Sequence, residues 1–370
     1  MTLKWFATVA PGLEPLLRDE FAELGLRGRV DAGGLHLKGT LEDGWTIVLN
    51  SRLASGLRLR VWQGEVTRVD GLRSAVQRAD WRPWIHPVQE LGVSASITDN
   101  GWRRDVVERA VKKAIATSLR GPRRPGGRPP RVPARVHVRV QGRSVQVSVD
   151  AAGALLHKRG WRRDSVKAPL RENLAAAVLR VAGWHPDEPL LDPMCGSGTF
   201  LIEAAGIARG AAPGAHRRFA LEAWPCHDAR RYKQAVERAR KTRQSPVRLW
   251  GSDRDPRAVK AALENARRAR VASMMQVDVE EFMHRQPPAT SGLVVMNPPW
   301  GTRLSANRAR GVWSHLGEVL AGRYAEWRWA LVGPDPGLAR ATGLPLVEAV
   351  SFPAGGMRLR VWTGSNPSFA

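Results

Sequence analysis

Leu191-Asp192-Pro193-Met194-Cys195-Gly196-Ser197-Gly198-Thr199 is the stretch on which the fold turns. It follows a short apolar run and leads into an apolar segment beginning at Phe200, a pattern that predicts a strand, a glycine loop and a helix. Gly196 and Gly198 let the backbone pass close to a ligand that a side chain would block. The helix start beyond them offers free N–H groups and a positive dipole end, suited to a carboxylate. The loop opens on an acid and lacks the third glycine of a dinucleotide fingerprint. It has the form of a donor loop for S-adenosylmethionine, with Asp192, Pro193, Cys195, Gly196, Ser197, Gly198 and Thr199 as cofactor contacts.

Outward from this loop, helical segments alternate with short apolar strands at 189–192, 247–253, 274–278, 293–297 and 327–333. Such alternation predicts a mostly parallel sheet covered on both faces. Residues 344–352 and 357–362, joined by Ala354-Gly355-Gly356, predict an antiparallel hairpin that closes it. Asp253 ends the second strand and is placed for ribose hydroxyls, with Asp255 competing for that role, although either could simply cap the next helix. Asp278, ending the third strand, can accept from an adenine amino group. Asp192 and Asp253 lie 61 residues apart, against ~20 in a minimal dinucleotide fold. An insertion at about 209–246, with a basic helix near 230–243, accounts for the surplus.

Asn297-Pro298-Pro299-Trp300 closes the fourth strand. A conjugated exocyclic amine reacts when its lone pair is localised and aimed at the donor. The Asn297 oxygen and the Pro298 carbonyl are two acceptors for the amine N–H bonds, and Asn297 also borders the cofactor. Pro298 and Pro299 stiffen the loop, and Trp300 offers a stacking face for a flipped base, worth roughly 1–3 kcal/mol. These four residues are the predicted catalytic set. Cys195 lies inside the donor loop and Cys226 has no motif around it, so cysteine-based methylation of carbon is disfavoured. The nine His show no metal spacing, and no metal is expected.

The net charge of +24, from 58 basic against 34 acidic residues, implies a polyanionic partner, and nucleic acid is the commonest. Only nine of the basic residues are Lys. Between 120 and 143 stand eight Arg and no acid. Arg123, Arg124, Arg128 and Arg131 fall in a Pro/Gly-rich stretch, whereas Arg135 and Arg139 face out of a predicted hairpin whose Val136, Val138, Val140, Val145, Val147 and Val149 face in. Earlier helices are predicted at 11–24, around Trp45, and at 104–119, with strands at 35–38 and 57–66. Two Cys and no long apolar run predict a reducing, cytoplasmic setting without membrane attachment.

Particular runs carry a family resemblance: Phe6-Ala7-Thr8-Val9-Ala10-Pro11-Gly12-Leu13-Glu14, Ser51-Arg52-Leu53-Ala54-Ser55, His157-Lys158-Arg159-Gly160-Trp161-Arg162 and Ala168-Pro169-Leu170-Arg171-Glu172-Asn173. With these the chain resembles the bacterial THUMP-domain RNA methyltransferases, most closely the N-terminal half of the fused large-subunit rRNA guanine-N2 enzymes. The resemblance implies a ferredoxin-like region over 1–66, a THUMP domain over 67–152, a linker over 153–167 and a Rossmann-like methyltransferase domain over 168–370. It implies S-adenosylmethionine as cofactor, with Ala168 and Pro169 bordering it. It further implies guanine-N2 methylation of 23S rRNA by a monomer, with Arg159 and Arg162 on the RNA side. Trp300 departs from the Tyr of most relatives, and the chain ends at Ala370, before the second methyltransferase domain of the fused enzymes. Single-domain relatives act on tRNA, which stands as the alternative substrate. A silent RNA-binding assembly factor is a further alternative, against which the intact Asp192, Gly196, Asn297 and Pro298 speak.

Overall fold

The computed structural model describes residues 2–98, 101–120, 130, 132–163, 170–300 and 306–366. The chain divides into two compact units, each assembled from separated stretches: 1–9, 17–156 and 217–239 form one, and 10–16, 157–216 and 240–370 the other.

The first unit is built on a seven-stranded sheet of β1 (Leu3–Thr8), β2 (Gly28–Asp31), β3 (Gly34–Gly39), β4 (Gly56–Glu65), β5 (Leu91–Ile97), β6 (Ala134–Gln141) and β7 (Ser144–Asp150). They lie in the order β2-β3-β1-β4-β7-β6-β5, every pair antiparallel except β5 with β6. The alternation read from sequence holds: the six valines of β6 and β7 are buried, as are Trp5 and Ala7 of β1 and Leu57 and Leu59 of β4. The helices α1 (Glu14–Glu23), α2 (Leu41–Asn50), α3 (Val69–Arg78) and α4 (Arg104–Ser118) bury Phe21, Trp45, Leu72 and Val107. Helix α2 starts on a capping box, in which the Thr40 hydroxyl accepts from the Asp43 N–H and the Asp43 carboxylate from the Thr40 N–H. β4 pairs with β1 on one side and β7 on the other, so one sheet crosses the 66/67 border expected from sequence.

The predicted insertion contributes its central part, 217–239, to this first unit. Its helix α7 is Ala229–Ala239, four residues shorter at its C-terminal end than the basic segment suggested. Trp224 stacks on Trp5 at 6.1 Å and meets Trp84 edge-on at 5.3 Å, while Tyr232 meets Trp45 edge-on at 5.5 Å. Ring pairs at these spacings contribute about 0.5–1.5 kcal/mol each beyond their buried area.

The second unit holds α5 (Glu172–Val181), β8 (Leu190–Asp192), α6 (Thr199–Ala208), β9 (Leu249–Asp253), α8 (Pro256–Arg268), β10 (Met275–Val279), β11 (Gly292–Met296), α9 (Ala306–Arg323), β12 (Trp327–Gly333), α10 (Pro336–Ala341), β13 (Val347–Ala354) and β14 (Met357–Gly364). Its sheet runs β10-β9-β8-β11-β12-β14-β13, with the first five strands parallel and β14 reversed between β12 and β13. This is the doubly wound class I arrangement expected, with one reversed strand. Strand order switches direction between β8 and β11, the place where open α/β sheets bind ligands beyond their carboxyl ends. Trp313, Trp327, Trp329 and Tyr324 form the core on the β11–β12 side. No helix among the described residues is long and apolar enough to cross a membrane.

Candidate functional site

Four acceptor side chains end neighbouring strands at one edge of the second sheet. Asp192 ends β8, Asp253 ends β9, Asp278 lies one residue before the end of β10, and Asn297 follows β11.

The loop from Asp192 to Thr199 is held to β9 by its backbone. The Cys195 N–H donates to the Ser252 carbonyl at 2.9 Å, and the Gly196 N–H donates to Asp253 Oδ2 at 3.0 Å. Gly196 and Gly198 both adopt positive φ, 54° and 81°, which a side chain would strain. Gly198 is also the N-cap of α6, and a Cβ there would stand 3.0 Å from that of Ala262. No N-cap side chain covers the first N–H groups of α6. The helix start is thereby open to an external carboxylate.

Asp192 is buried and accepts from the Met194 N–H at 3.3 Å. Burial, with the Asp253 carboxylate adding to it, pushes its carboxyl well above the usual range. Asp253 accepts a backbone N–H at each oxygen, from Gly196 and from Asp255 at 2.9 Å, and remains half-buried. Asp255 has a different task. It caps α8, accepting from the Arg257 N–H and pairing with the Arg257 guanidinium at 2.9 Å. Asp278 takes the Arg285 guanidinium at 3.2 Å and the Gln276 amide at 3.4 Å, all on Oδ2. Its Oδ1 carries no bond among the described residues.

In the acceptor motif, the Trp300 indole N–H donates to Asn297 Oδ1 at 3.1 Å, and the Trp313 indole N–H to the Pro299 carbonyl at 3.4 Å. Trp300 is half-buried against the β11–β12 core. The motif thus fixes the orientation of its own Asn, a bond that sequence reasoning did not foresee. Burial raises the Cys195 thiol well above its usual range, leaving it a protonated packing residue rather than a nucleophile.

Arg159 and Arg162 require a correction. Arg159 is 6% exposed and ion-paired through Nε with Glu203 of α6 at 3.4 Å. Arg162 pairs with buried Glu172 at 3.0 Å and donates to Ser197 Oγ at 3.3 Å, Thr199 Oγ1 at 3.0 Å and the Leu170 carbonyl at 3.0 Å. Neither guanidinium is presented to RNA, because each answers a carboxylate buried in an apolar helix. Arg162 instead ties the donor loop to the start of α5. Asn265 of α8 supports the same loop, donating its amide to the Ser197 carbonyl at 3.1 Å. Arg135 is exposed and donates to the Gly153 carbonyl at 3.0 Å, and Arg139 is half-buried on β6. Ala168, Pro169, Arg123, Arg124, Arg128 and Arg131 lie outside the described residues.

The donor set suits S-adenosylmethionine. An open helix N-terminus meets a carboxylate, and Asp253 and the free oxygen of Asp278 meet hydroxyl and amino donors.

Comparison with known proteins agrees with this fold and cofactor. Residues 159–345 match the family described as the RMKL-like methyltransferase domain (UPF0020), and residues 4–56 match the RlmL ferredoxin-like domain. A ribosomal RNA large subunit methyltransferase K/L of Syntrophotalea carbinolica is 34% identical across 92% of this chain and 50% of its own length. The chain therefore spans about half the length of the curated relative it matches. Two solved structures each share 26% identity with a TM-score of 0.89 over 99% of this chain. One is described as a methyltransferase complexed with S-adenosylhomocysteine and is covered over 98%; the other, from Listeria monocytogenes, is named for N6-adenine DNA methylation and is covered over 97%. The chain belongs to the RMKL-like methyltransferase family.

Proposed function

We propose that the protein transfers a methyl group from S-adenosylmethionine to N2 of a guanosine in RNA, with 23S rRNA as its target. The observation that carries this is the juxtaposition of Asp192, Asp253, Asp278 and Asn297 at the switch point of one sheet. When bound, S-adenosylmethionine supplies an electrophilic methyl group on a sulfonium.

This chain's residues do the rest. The α6 N-terminus and the Asp192–Thr199 loop hold the carboxylate end of the donor, Asp253 its ribose and Asp278 Oδ1 its adenine amine. Asn297 Oδ1 keeps a lone pair beyond the one taken by Trp300, and with the Pro298 carbonyl it accepts the two N–H bonds of the target amine. The nitrogen lone pair is then localised toward the donor. No tuned general base is required, because the amine becomes acidic once it is methylated. The net charge of +13 over residues 1–165, from 29 basic and 16 acidic residues, favours RNA over a protein substrate.

Calorimetric titration with S-adenosylmethionine, followed by nucleoside mass spectrometry of 23S rRNA, tRNA and DNA incubated with the protein, tests this. Donor binding with N2-methylguanosine in 23S rRNA is the expected result. The same product in tRNA alone would move the target, N6-methyladenine in DNA would replace the acceptor, and no donor binding would end the enzymatic account.

A further inference from the structure

The face of the first sheet opposite its buried valines and leucines is polar, and part of it is hollow. A cleft of about 1010 Å³ runs over β1–β4 and β7, lined by Lys4, Arg27, Arg29, Lys38 and Arg60 with a single acid, Asp31. None of the five cations makes an ion pair with a carboxylate among the described residues. Asp31 is already engaged, accepting from the Ala32 N–H at 2.8 Å and paired with His36 Nε2 at 2.8 Å.

The register turns these cations into a row. Lys4 of β1 stands directly opposite Lys38 of β3, Arg29 of β2 opposite His36, and Arg60 of β4 opposite Ser148 of β7. Like charges directly opposed across a sheet are destabilising, so the strands gain nothing from this row by themselves. Arg60 is crowded further. Burial, then Arg139, hold it down at about 10, and Arg58 is lowered by burial too. Among the described residues its Nε reaches only the Ser148 hydroxyl, at 3.5 Å. A polyanion laid across the row would relieve all of this. Gln63 and Gln146 also line the cleft, and Gln146 Oε1 is buried without a hydrogen-bond partner among the described residues, an acceptor suited to a ribose 2′-hydroxyl. Trp5, which lines the cleft, is only 1% exposed and Phe6, under Arg60, only 6%, while the His36 ring is held by Asp31 and packs on Phe6, so among the described residues no indole or phenyl face is open for base stacking.

We propose that this cleft is a backbone-binding site for RNA, with Lys4, Arg29, Lys38 and Arg60 on phosphates and Gln146 on a ribose. It rests on the RNA substrate argued above and adds a site built from cations other than the arginines of 120–143. Contact there is sequence-independent, because phosphates and sugars carry no base identity.

The test uses the full chain, labelled oligouridylate, and the triple variant Lys4→Gln, Arg29→Gln, Lys38→Gln. The plot of log affinity against log salt should flatten by about 0.7 for each lost contact to a single strand. Asp31→Asn should tighten binding severalfold, a gain that misfolding cannot imitate. An unchanged slope in a natively melting triple variant, while the wild type binds, would overturn the cleft and leave the RNA substrate standing. If the triple variant does not fold, Asp31→Asn decides: unchanged affinity overturns the proposal. An oligoglutamate binding with the same slope change would assign the cleft to an acidic protein segment instead. A wild type that neither binds nor methylates RNA would remove the substrate and the cleft together.

Discussion

Replacing Arg162 with Ala should damage the catalytic unit itself, because this side chain closes a network around a buried carboxylate. Its side chain is 15% exposed and its partner Glu172 only 5%. Removing one member of such a pair costs about 3–5 kcal/mol, since the other charge stays buried and uncompensated. A unit of roughly 200 residues loses about 2–4 °C per kcal/mol, so its melting transition should fall by on the order of 6–20 °C. The pH dependence carries a signature. Burial raises the Glu172 carboxyl above its ordinary value and Arg162 opposes that rise. A raised carboxylate disfavours the folded state above its unfolded pKa and is neutral in both states well below it. The deficit of the variant should therefore be largest at neutral pH and shrink as acid protonates Glu172. Adding Glu172→Gln should recover most of the loss. Scanning calorimetry across pH, with donor titration on the same samples, makes the measurement. Donor affinity should also fall, because Ser197 and Thr199 lose an anchor. A variant that melts as the wild type does while its RNA affinity loses salt dependence would return Arg162 to the RNA surface and refute the network.

Asp253→Ala should weaken donor binding by roughly 1–3 kcal/mol by calorimetry, from the lost ribose contacts together with the freed Gly196 N–H. Asn297→Ala should abolish turnover with donor and RNA affinities nearly intact, because the alignment it provides matters chiefly in the transition state. Trp300→Tyr should retain more activity than Trp300→Ala; equal loss would mean that Trp300 does not stack, and the residual deficit of Tyr reports the indole bond to Asn297. Neutralising Arg123, Arg124, Arg128 and Arg131 together should flatten the salt dependence of RNA affinity by up to roughly 0.7–0.9 per contact, with donor affinity unchanged.

The catalytic sheet was legible because buried parallel strands write their own signature. The runs before Asp192 and Asn297 are apolar throughout, those before Asp253 and Asp278 are broken only by Ser252 and Gln276, and each leads to a residue that no core would choose. The first sheet was harder to read. β1, Leu-Lys-Trp-Phe-Ala-Thr, is central and keeps Phe6 nearly buried on its polar face, which blurs the alternation. β5 alternates with Gly92, Ser94 and Ser96 at the sheet edge, too weak a contrast for pattern alone. Arg159 and Arg162 misled because a cation in a polar run reads as surface. The corrective signal lay elsewhere in the chain: Glu172 and Glu203 each open or interrupt an otherwise apolar helix, and a carboxylate placed there demands a buried cation. Which cation answers is a matter of spatial proximity, and spacing along the chain does not encode it.

The passage of 217–239 into the first unit has a consequence for synthesis. Domains usually close in order of emergence from the ribosome, but this one reaches residue 156 still lacking Trp224 and Tyr232. About 80 further residues must be made, which at roughly 5–20 residues per second is a delay on the order of 4–16 s. Throughout that interval the indoles of Trp5, Trp45 and Trp84 await their covering rings. The nascent chain is then most exposed to chaperones and to aggregation, and any early stop between 156 and 239 would release a polypeptide with an unfinished aromatic face.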